Sequence, residues 1–268
     1  MKAAPAPSSR SSIVARLRTA GCVAAEDEAR LLIESARTPS ELAAMVDRRA
    51  TGVPIEHVLG WAEFCGLRIA VAPGVFVPRR RTEFLVDQAR VLARQIPAPR
   101  RPIVVDLCCG SGAVGAALIA ALKVELYAVD LDPIAVRCAR GNVGTVGGQV
   151  YMGDLYEPLP VSLRGRVDVV VANAPYVPTD EIRLLPPEAR LHEPRSALDG
   201  GPDGLGLLRR IVVAAPQWLA AGGHLLVETS ELQAPQLAEA VASVGLVPRI
   251  ADSDALNAHI VVGTRALG

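Results

Sequence analysis

A run of valines ends in four residues that could hold a flat nitrogen: Val169-Val170-Val171-Ala172 leads into Asn173-Ala174-Pro175-Tyr176. The Asn173 side-chain oxygen can accept one N–H of an NH2 group, and a backbone carbonyl in the following turn can accept the other. A conjugated NH2 is a poor nucleophile because its lone pair is shared with a π-system. The barrier of about 18–20 kcal/mol to rotation about a peptide C–N bond shows the scale of that sharing. Two acceptors that hold such a nitrogen as it becomes tetrahedral would aim its lone pair at an electrophilic carbon, by placement and by stabilising the developing positive charge. Tyr176 could stack on a flat amide or base. The same four residues would also suit an ordinary Asn-Pro-type turn after a strand.

A second constellation lies earlier, where Val104-Val105-Asp106-Leu107-Cys108-Cys109-Gly110-Ser111-Gly112-Ala113 reads as a strand entering a glycine turn that opens a helix. Glycine lets the backbone approach a ligand closely. A dinucleotide fold would also use such a turn, but the Gly-x-Gly-x-x-Gly spacing is met only by counting Gly115, which places the first glycine late. Asp130 closes the next strand, where a carboxylate can accept both hydroxyls of a ribose; that role serves NAD and S-adenosylmethionine alike. Asp132 reads as a helix cap ahead of Pro133 and could substitute for Asp130. Asp154 could accept a hydrogen bond from an adenine amine or be an ordinary loop aspartate. Cys108 and Cys109 read as small loop residues lining a pocket, since no histidine lies nearby in sequence to activate them.

Such chemistry needs strand ends side by side. Beyond Pro102 apolar runs alternate with helix-period segments, Ile103 to Leu107, Val114 to Leu122, Val124 to Asp130 and Pro133 to Asn142, a βαβ pattern. Further strands are expected at Val150 to Gly153, Val167 to Ala172, His224 to Glu228, Leu246 to Ile250 and His259 to Thr264, with helices near Leu205 to Leu219 and Ala234 to Ser243. The expectation is α/β: a seven-stranded, doubly wound, Rossmann-like domain over residues 82–268, with ligands at the carboxyl ends of the strands. Residues 12–53 have helical spacing, with a capping box at Thr38-Pro39-Ser40-Glu41, and predict a small helical domain. Residues 54–81 read as a β-hairpin linker, β-like from Ile55 and turning at Phe64-Cys65-Gly66-Leu67.

Composition narrows the classes. At 268 residues and 50% hydrophobic content the chain is neither disordered nor fibrous. Lys+Arg 28 against Asp+Glu 28 lacks the basic balance that phosphate-backbone binding leaves in a sequence, so nucleic acid is disfavoured as a partner. Cys22, Cys65, Cys108, Cys109 and Cys138 show neither zinc-ligand spacing nor a Cys-x-x-Cys motif, so no metal is expected and reduced, cytoplasmic thiols are the reading. No segment stays apolar and uncharged for the roughly 18 residues of a membrane span. Met1 to Ser12 reads as a floppy start without an apolar h-region.

The order and spacing resemble the PrmC/HemK family, the release-factor glutamine methyltransferases, from about Arg49 to the C-terminus. The resemblance is carried by Gly52-Val53-Pro54 with Gly60 and Phe64, by Phe76-Val77-Pro78-Arg79 with Thr82-Glu83, by Asp106 to Ala113, and by Asp130, Asp154 and Asn173 to Tyr176. It continues through Glu193-Pro194-Arg195-Ser196-Ala197-Leu198-Asp199-Gly200-Gly201-Pro202-Asp203-Gly204-Leu205. Nucleic-acid amine methyltransferases share the glycine loop and an Asn-Pro-Pro-Tyr type motif, whereas this last stretch looks specific to the glutamine enzymes. The resemblance implies a helical domain that docks a protein substrate and a C-terminal domain that binds S-adenosylmethionine. It implies cofactor contacts from Cys108, Cys109, Gly110, Ser111, Gly112, Asp130, Leu155 and Asn173. It also implies a glutamine amide held by Asn173, Ala174, Pro175 and Tyr176, in a Gly-Gly-Gln loop of a peptide chain release factor. The chain's own Gly147-Gly148-Gln149 reads as a turn before a strand.

Four positions depart from the family pattern. Ala174 replaces the first proline of Asn-Pro-Pro-Tyr, but its carbonyl survives and Pro175 keeps it extended. Arg80-Arg81 replaces Pro-Glu and adds positive charge near the expected entrance, and Cys109 stands where threonine is frequent. Arg195 could orient the substrate backbone, pair with a carboxylate, or form a plain surface salt bridge. His192 and His259 are given no catalytic role, because an alkylated amide nitrogen loses its proton to water unaided. Gly200 to Gly206 reads as a flap or a helix-entry loop, and Glu228 as structural. Two other functions stay open: methylation of an exocyclic amine of DNA or RNA, with Tyr176 stacked on a flipped base, and a scaffold without turnover.

Overall fold

The computed structural model describes residues 9–97 and 99–267. Ser9 caps the first helix, α1 (Arg10–Thr19), so the floppy start expected through Ser12 ends earlier, and residues 1–8 lie outside the described residues. Two more amphipathic helices follow, α2 (Ala25–Ser35) and α3 (Pro39–Ala50). At the head of α3 the Thr38 hydroxyl accepts the Glu41 N–H at 3.1 Å, while the Glu41 carboxylate reaches back to the Arg37 N–H at 2.8 Å. Ile13, Leu17, Leu32 and Val46 form their common core.

One expectation is corrected here: Ile55 does not begin a β-like run but opens a short helix, α4 (Ile55–Leu59), stopped by Gly60 at φ 81°. Ile55, Val58 and Leu59 pack on the helical core, and five residues are too few for periodicity to separate helix from strand. The hairpin β1 (Trp61–Phe64) and β2 (Leu67–Ala70) follows, turning through Cys65 (φ 49°) and Gly66 (φ 73°). Two left-handed residues are what a two-residue hairpin turn demands.

Helix α5 (Glu83–Ala93) leads into the larger body: β3 (Ile103–Leu107), α6 (Ala113–Ala121), β4 (Glu125–Asp130), α7 (Pro133–Val143), β5 (Gln149–Met152) and β6 (Val167–Ala172). Then come α8 (Pro187–His192), α9 (Gly206–Trp218), β7 (Leu219–Thr229), α10 (Ala234–Ser243), β8 (Leu246–Ser253) and β9 (Ala258–Arg265). The seven strands from β3 to β9 lie in the order β5-β4-β3-β6-β7-β9-β8, with β9 antiparallel to both neighbours. Every residue of β3 and of β6 is buried, as central strands covered on both faces require. Leu85 and Leu118 pack on one face, Ile211 and Leu237 on the other. Because β4 and β6 flank β3 on opposite sides, the loops leaving β3 and β6 diverge and open a crevice at their carboxyl ends. Among the described residues no helix is long and apolar enough to cross a membrane.

Candidate active site

The crevice holds a cavity of about 620 Å³. Its floor is the loop after β3, where Cys108 (φ 55°), Gly110 (φ 55°) and Gly112 (φ 77°) alternate through the left-handed region. For Cys108 that conformation costs about 1–2 kcal/mol, strain of a kind found at ligand sites. Leu155 repeats it at φ 50° on the same cavity. Cys108, Cys109, Gly110 and Ser111 line the space, but Gly112 does not. A side chain at Gly112 would meet the Ala139 backbone at 3.2 Å, so this glycine serves the close approach of the loop to α7. Asn142 of α7 clamps the same loop, donating to the Ser111 carbonyl at 2.8 Å and the Ala70 carbonyl at 2.9 Å. Burial pushes both cysteine thiols well up, so neither is a ready nucleophile.

Asp130 faces the cavity from the end of β4 with its carboxylate fixed, accepting the Gly110 N–H at 2.8 Å and the Asp132 N–H at 2.9 Å. Burial raises its pKa and these backbone donors draw it back. Asp132 caps α7 through the Ile134 N–H at 2.6 Å. Asp154 also lines the cavity, with one oxygen held by Arg210 at 2.6 Å. Under the loop, buried Asp106 accepts the Gly115 N–H at 3.0 Å, and burial pushes its carboxyl up to about 7.

Asn173, Ala174, Pro175 and Tyr176 line the opposite wall. The Asn173 Nδ2 donates to Thr82 Oγ1 at 3.1 Å. Among the described residues no hydrogen bond ends on the Ala174 carbonyl, whereas the Tyr176 carbonyl is taken by Gln233 at 2.9 Å. The Tyr176 hydroxyl donates to Glu228 Oε1 at 3.3 Å, and the Arg81 guanidinium lies 5.8 Å from its ring centre. Burial, with Glu228 alongside, keeps the phenol protonated.

Arg195 does not reach the cavity: it is exposed and pairs with Asp199 at 3.0 Å, the plain salt bridge among the expected alternatives. The neighbouring Glu193 carries the structural weight of that motif. It is buried, accepts the Val77 N–H at 3.2 Å and Arg79 at 2.5 Å, and so ties the Phe76 to Arg79 segment to the end of α8. Burial raises the Glu193 pKa and Arg79 opposes it. Thr82 was not singled out as a site residue from the sequence, and Glu228, read as structural, is the partner of Arg81 at 3.3 Å and of Tyr176. The added charge of Arg81 thus lines the cavity already paired, a contact for which the Arg80-Arg81 departure was the available signal.

The family model for the methyltransferase small domain matches residues 66–201. A methyltransferase from Pyrococcus furiosus superposes with a TM-score of 0.52 at 15% identity, covering 85% of this chain and 99% of that one, and shares the fold. The 4-amino-L-phenylalanine/4-methylamino-L-phenylalanine methyltransferase of Streptomyces pristinaespiralis is 39% identical over 70% of this chain and 65% of its own length. The release factor glutamine methyltransferase of Geobacter sulfurreducens is 40% identical over 85% of this chain and 79% of its own. A crevice of this construction and identity of that extent over both lengths mean that the chain belongs to the release factor glutamine methyltransferase family.

Proposed function

We propose that the chain transfers a methyl group from S-adenosylmethionine to the side-chain amide nitrogen of a glutamine in a protein, a peptide chain release factor being the favoured substrate. The observation that carries this reading is that Asn173, Ala174 and Tyr176 line one cavity, with no hydrogen bond among the described residues ending on the Ala174 carbonyl. The opposite wall suits the cofactor: a backbone loop free of bulky side chains, a fixed carboxylate at Asp130 for a ribose, and Asp154 with one oxygen left for an amine. When bound there, S-adenosylmethionine supplies an electrophilic methyl carbon on a sulfonium.

The chain's own residues supply placement. Asn173 Oδ1 and the Ala174 carbonyl accept the two N–H groups of the amide, which withdraws its nitrogen from conjugation and turns the lone pair toward the donor wall. Pro175 keeps Ala174 extended, so its carbonyl stays aimed. In transfer the nitrogen lone pair would form the new N–C bond, the electrons of the broken S–C bond would stay with the departing donor, and one N–H proton would pass to water. Orientation of the two reactants supplies several kcal/mol, and acceptors matched to the charge growing on nitrogen add roughly 3 kcal/mol.

Five free cysteines favour a reducing compartment, the cytoplasm, as the place of action. Labelled cofactor offered together with a release factor, duplex DNA, RNA and 4-aminophenylalanine tests the reading. The label is expected on a glutamine side chain of the release factor by mass spectrometry. Label in nucleic acid or in the aryl amine, with none in protein, overturns it.

A further inference from the structure

Thr82 and Glu228 lie behind the acceptor wall and determine which way Asn173 faces. A carboxamide is nearly symmetrical in shape, so packing alone does not separate its oxygen from its nitrogen. Only the oxygen accepts; with the nitrogen turned into the cavity, donors would face donors and the grip on an NH2 group would be lost. Asn173 is tied at its back, where Nδ2 donates to Thr82 Oγ1 at 3.1 Å. A threonine hydroxyl does not settle the orientation by itself, because it donates as readily as it accepts.

The next group along settles it. Glu228, 1% exposed near the end of β7, receives Arg81 Nε and the Tyr176 hydroxyl on Oε1, each at 3.3 Å. Its Oε2 is buried without a hydrogen-bond partner, and the Thr82 hydroxyl is among the groups that favour the charged form of this carboxylate. Across the sheet its neighbour in β9 is the apolar Ile260, so Arg81, Thr82 and Tyr176 are the polar groups it meets. An ionised carboxylate only accepts. A carboxylate there would draw the Thr82 proton, leave a Thr82 lone pair for Asn173 Nδ2, and turn Asn173 Oδ1 to the cavity. We propose that Thr82 and Glu228 are positioning residues that fix the Asn173 carboxamide oxygen-inward and hold the Tyr176 ring, through a relay from a buried carboxylate. The proposal rests on the methyl-transfer reading of the site.

Thr82→Val keeps the shape and removes both hydrogen-bonding roles, while Thr82→Ser keeps both. The valine variant is expected to lose roughly 10- to 100-fold in kcat with cofactor affinity within about twofold, and the serine variant to stay within about threefold of the parent. Glu228→Gln serves if the valine variant does not fold: an amide donates as well as accepts, so kcat falls while cofactor affinity holds. The relay is also read without turnover, from the Asn173 side-chain amide resonances, identified by their absence in Asn173→Asp. Burial is the largest influence on Glu228 and raises its pKa, so these resonances should shift at a pH above the ordinary carboxylate range, and the shift should vanish in Glu228→Gln. Undiminished kcat in Thr82→Val, or Asn173 resonances indifferent to Glu228→Gln, overturns the proposal. A parent protein that methylates no nitrogen acceptor while its Asn173 resonances still follow Glu228 would instead remove the functional reading and support the relay.

Discussion

The donor wall of the cavity is held by backbone, the acceptor wall by side chains. Cys108 to Gly112 keep their path through left-handed dihedrals and the Gly110 N–H turned onto Asp130, so the side chains there matter mainly by being small. Asn173 and Tyr176 instead contact Thr82, Arg81 and Glu228, residues drawn from two distant parts of the chain. A substitution on the first wall is local, whereas one on the second is felt through a network whose members are not independent.

The largest effect that would test this contrast belongs to the acceptor wall. Asn173→Ala should lower kcat by about 10²–10³-fold, the usual cost of removing one preorganised group at a reacting centre. Cofactor binding by calorimetry and the unfolding midpoint should change little. Near-parental turnover would remove the acceptor role from Asn173 and with it the distinction between the walls.

Beneath the donor wall the expected effect is on stability and depends on pH. The Asp106 carboxyl sits at about 7 in the folded protein, against about 3.9 in an unfolded chain. Between those values the native state holds a proton that the unfolded chain has released, so this contribution is most favourable at the acid end and is lost as pH rises through the window. At ~1.4 kcal/mol for each pKa unit, the loss is a few kcal/mol at most. Denaturant unfolding of the parent and of Asp106→Asn at pH about 5 and about 8 should show the parent losing stability relative to the variant, as the linkage requires. A constant difference across that range would mean that Asp106 titrates like an exposed carboxyl.

Asp130→Ala should weaken cofactor binding by roughly 10- to 100-fold, since hydrogen bonds to a charged acceptor are worth about 1.5–3 kcal/mol. Its kcat at saturating cofactor should hold far better than that of Asn173→Ala. Unchanged affinity would move the ribose contact to Asp132, which already spends one oxygen capping α7.

The same contrast explains what the sequence disclosed. Strands β3 and β6 were legible because burial on both faces writes an unbroken apolar run, and the glycine turn because backbone geometry selects residue types locally. The seven strands and the helix starts at Thr38 and Asp132 follow from such local rules. Ile55–Leu59 was misread because too few residues carry its period, and at Gly112 the packing against α7 that also calls for glycine leaves no local pattern. The acceptor network was hidden for a different reason. Arg81 and Glu228 stand 147 positions apart, and no local pattern reports a contact at that separation.

Arg195 provides the smallest expected effect. Its side chain is 69% exposed, and its partner Asp199 has other company: the Thr179 hydroxyl at 2.6 Å and the Gly201 N–H at 3.0 Å. Removing the arginine leaves those bonds and the turn they hold, so Arg195→Ala should change stability by no more than about 0.5 kcal/mol, as exposed ion pairs do. Its kcat/KM for a protein acceptor should stay within about twofold, consistent with a side chain that orients nothing. Glu193→Gln, two residues before it, should do more, because it weakens a buried acceptor on which Val77 and Arg79 converge. If Arg195→Ala instead lost turnover at an unchanged unfolding midpoint, the loop arginine would have to swing onto the bound substrate. The importance of the Glu-Pro-Arg stretch would then pass from the carboxylate that anchors the entrance to the cation beside it.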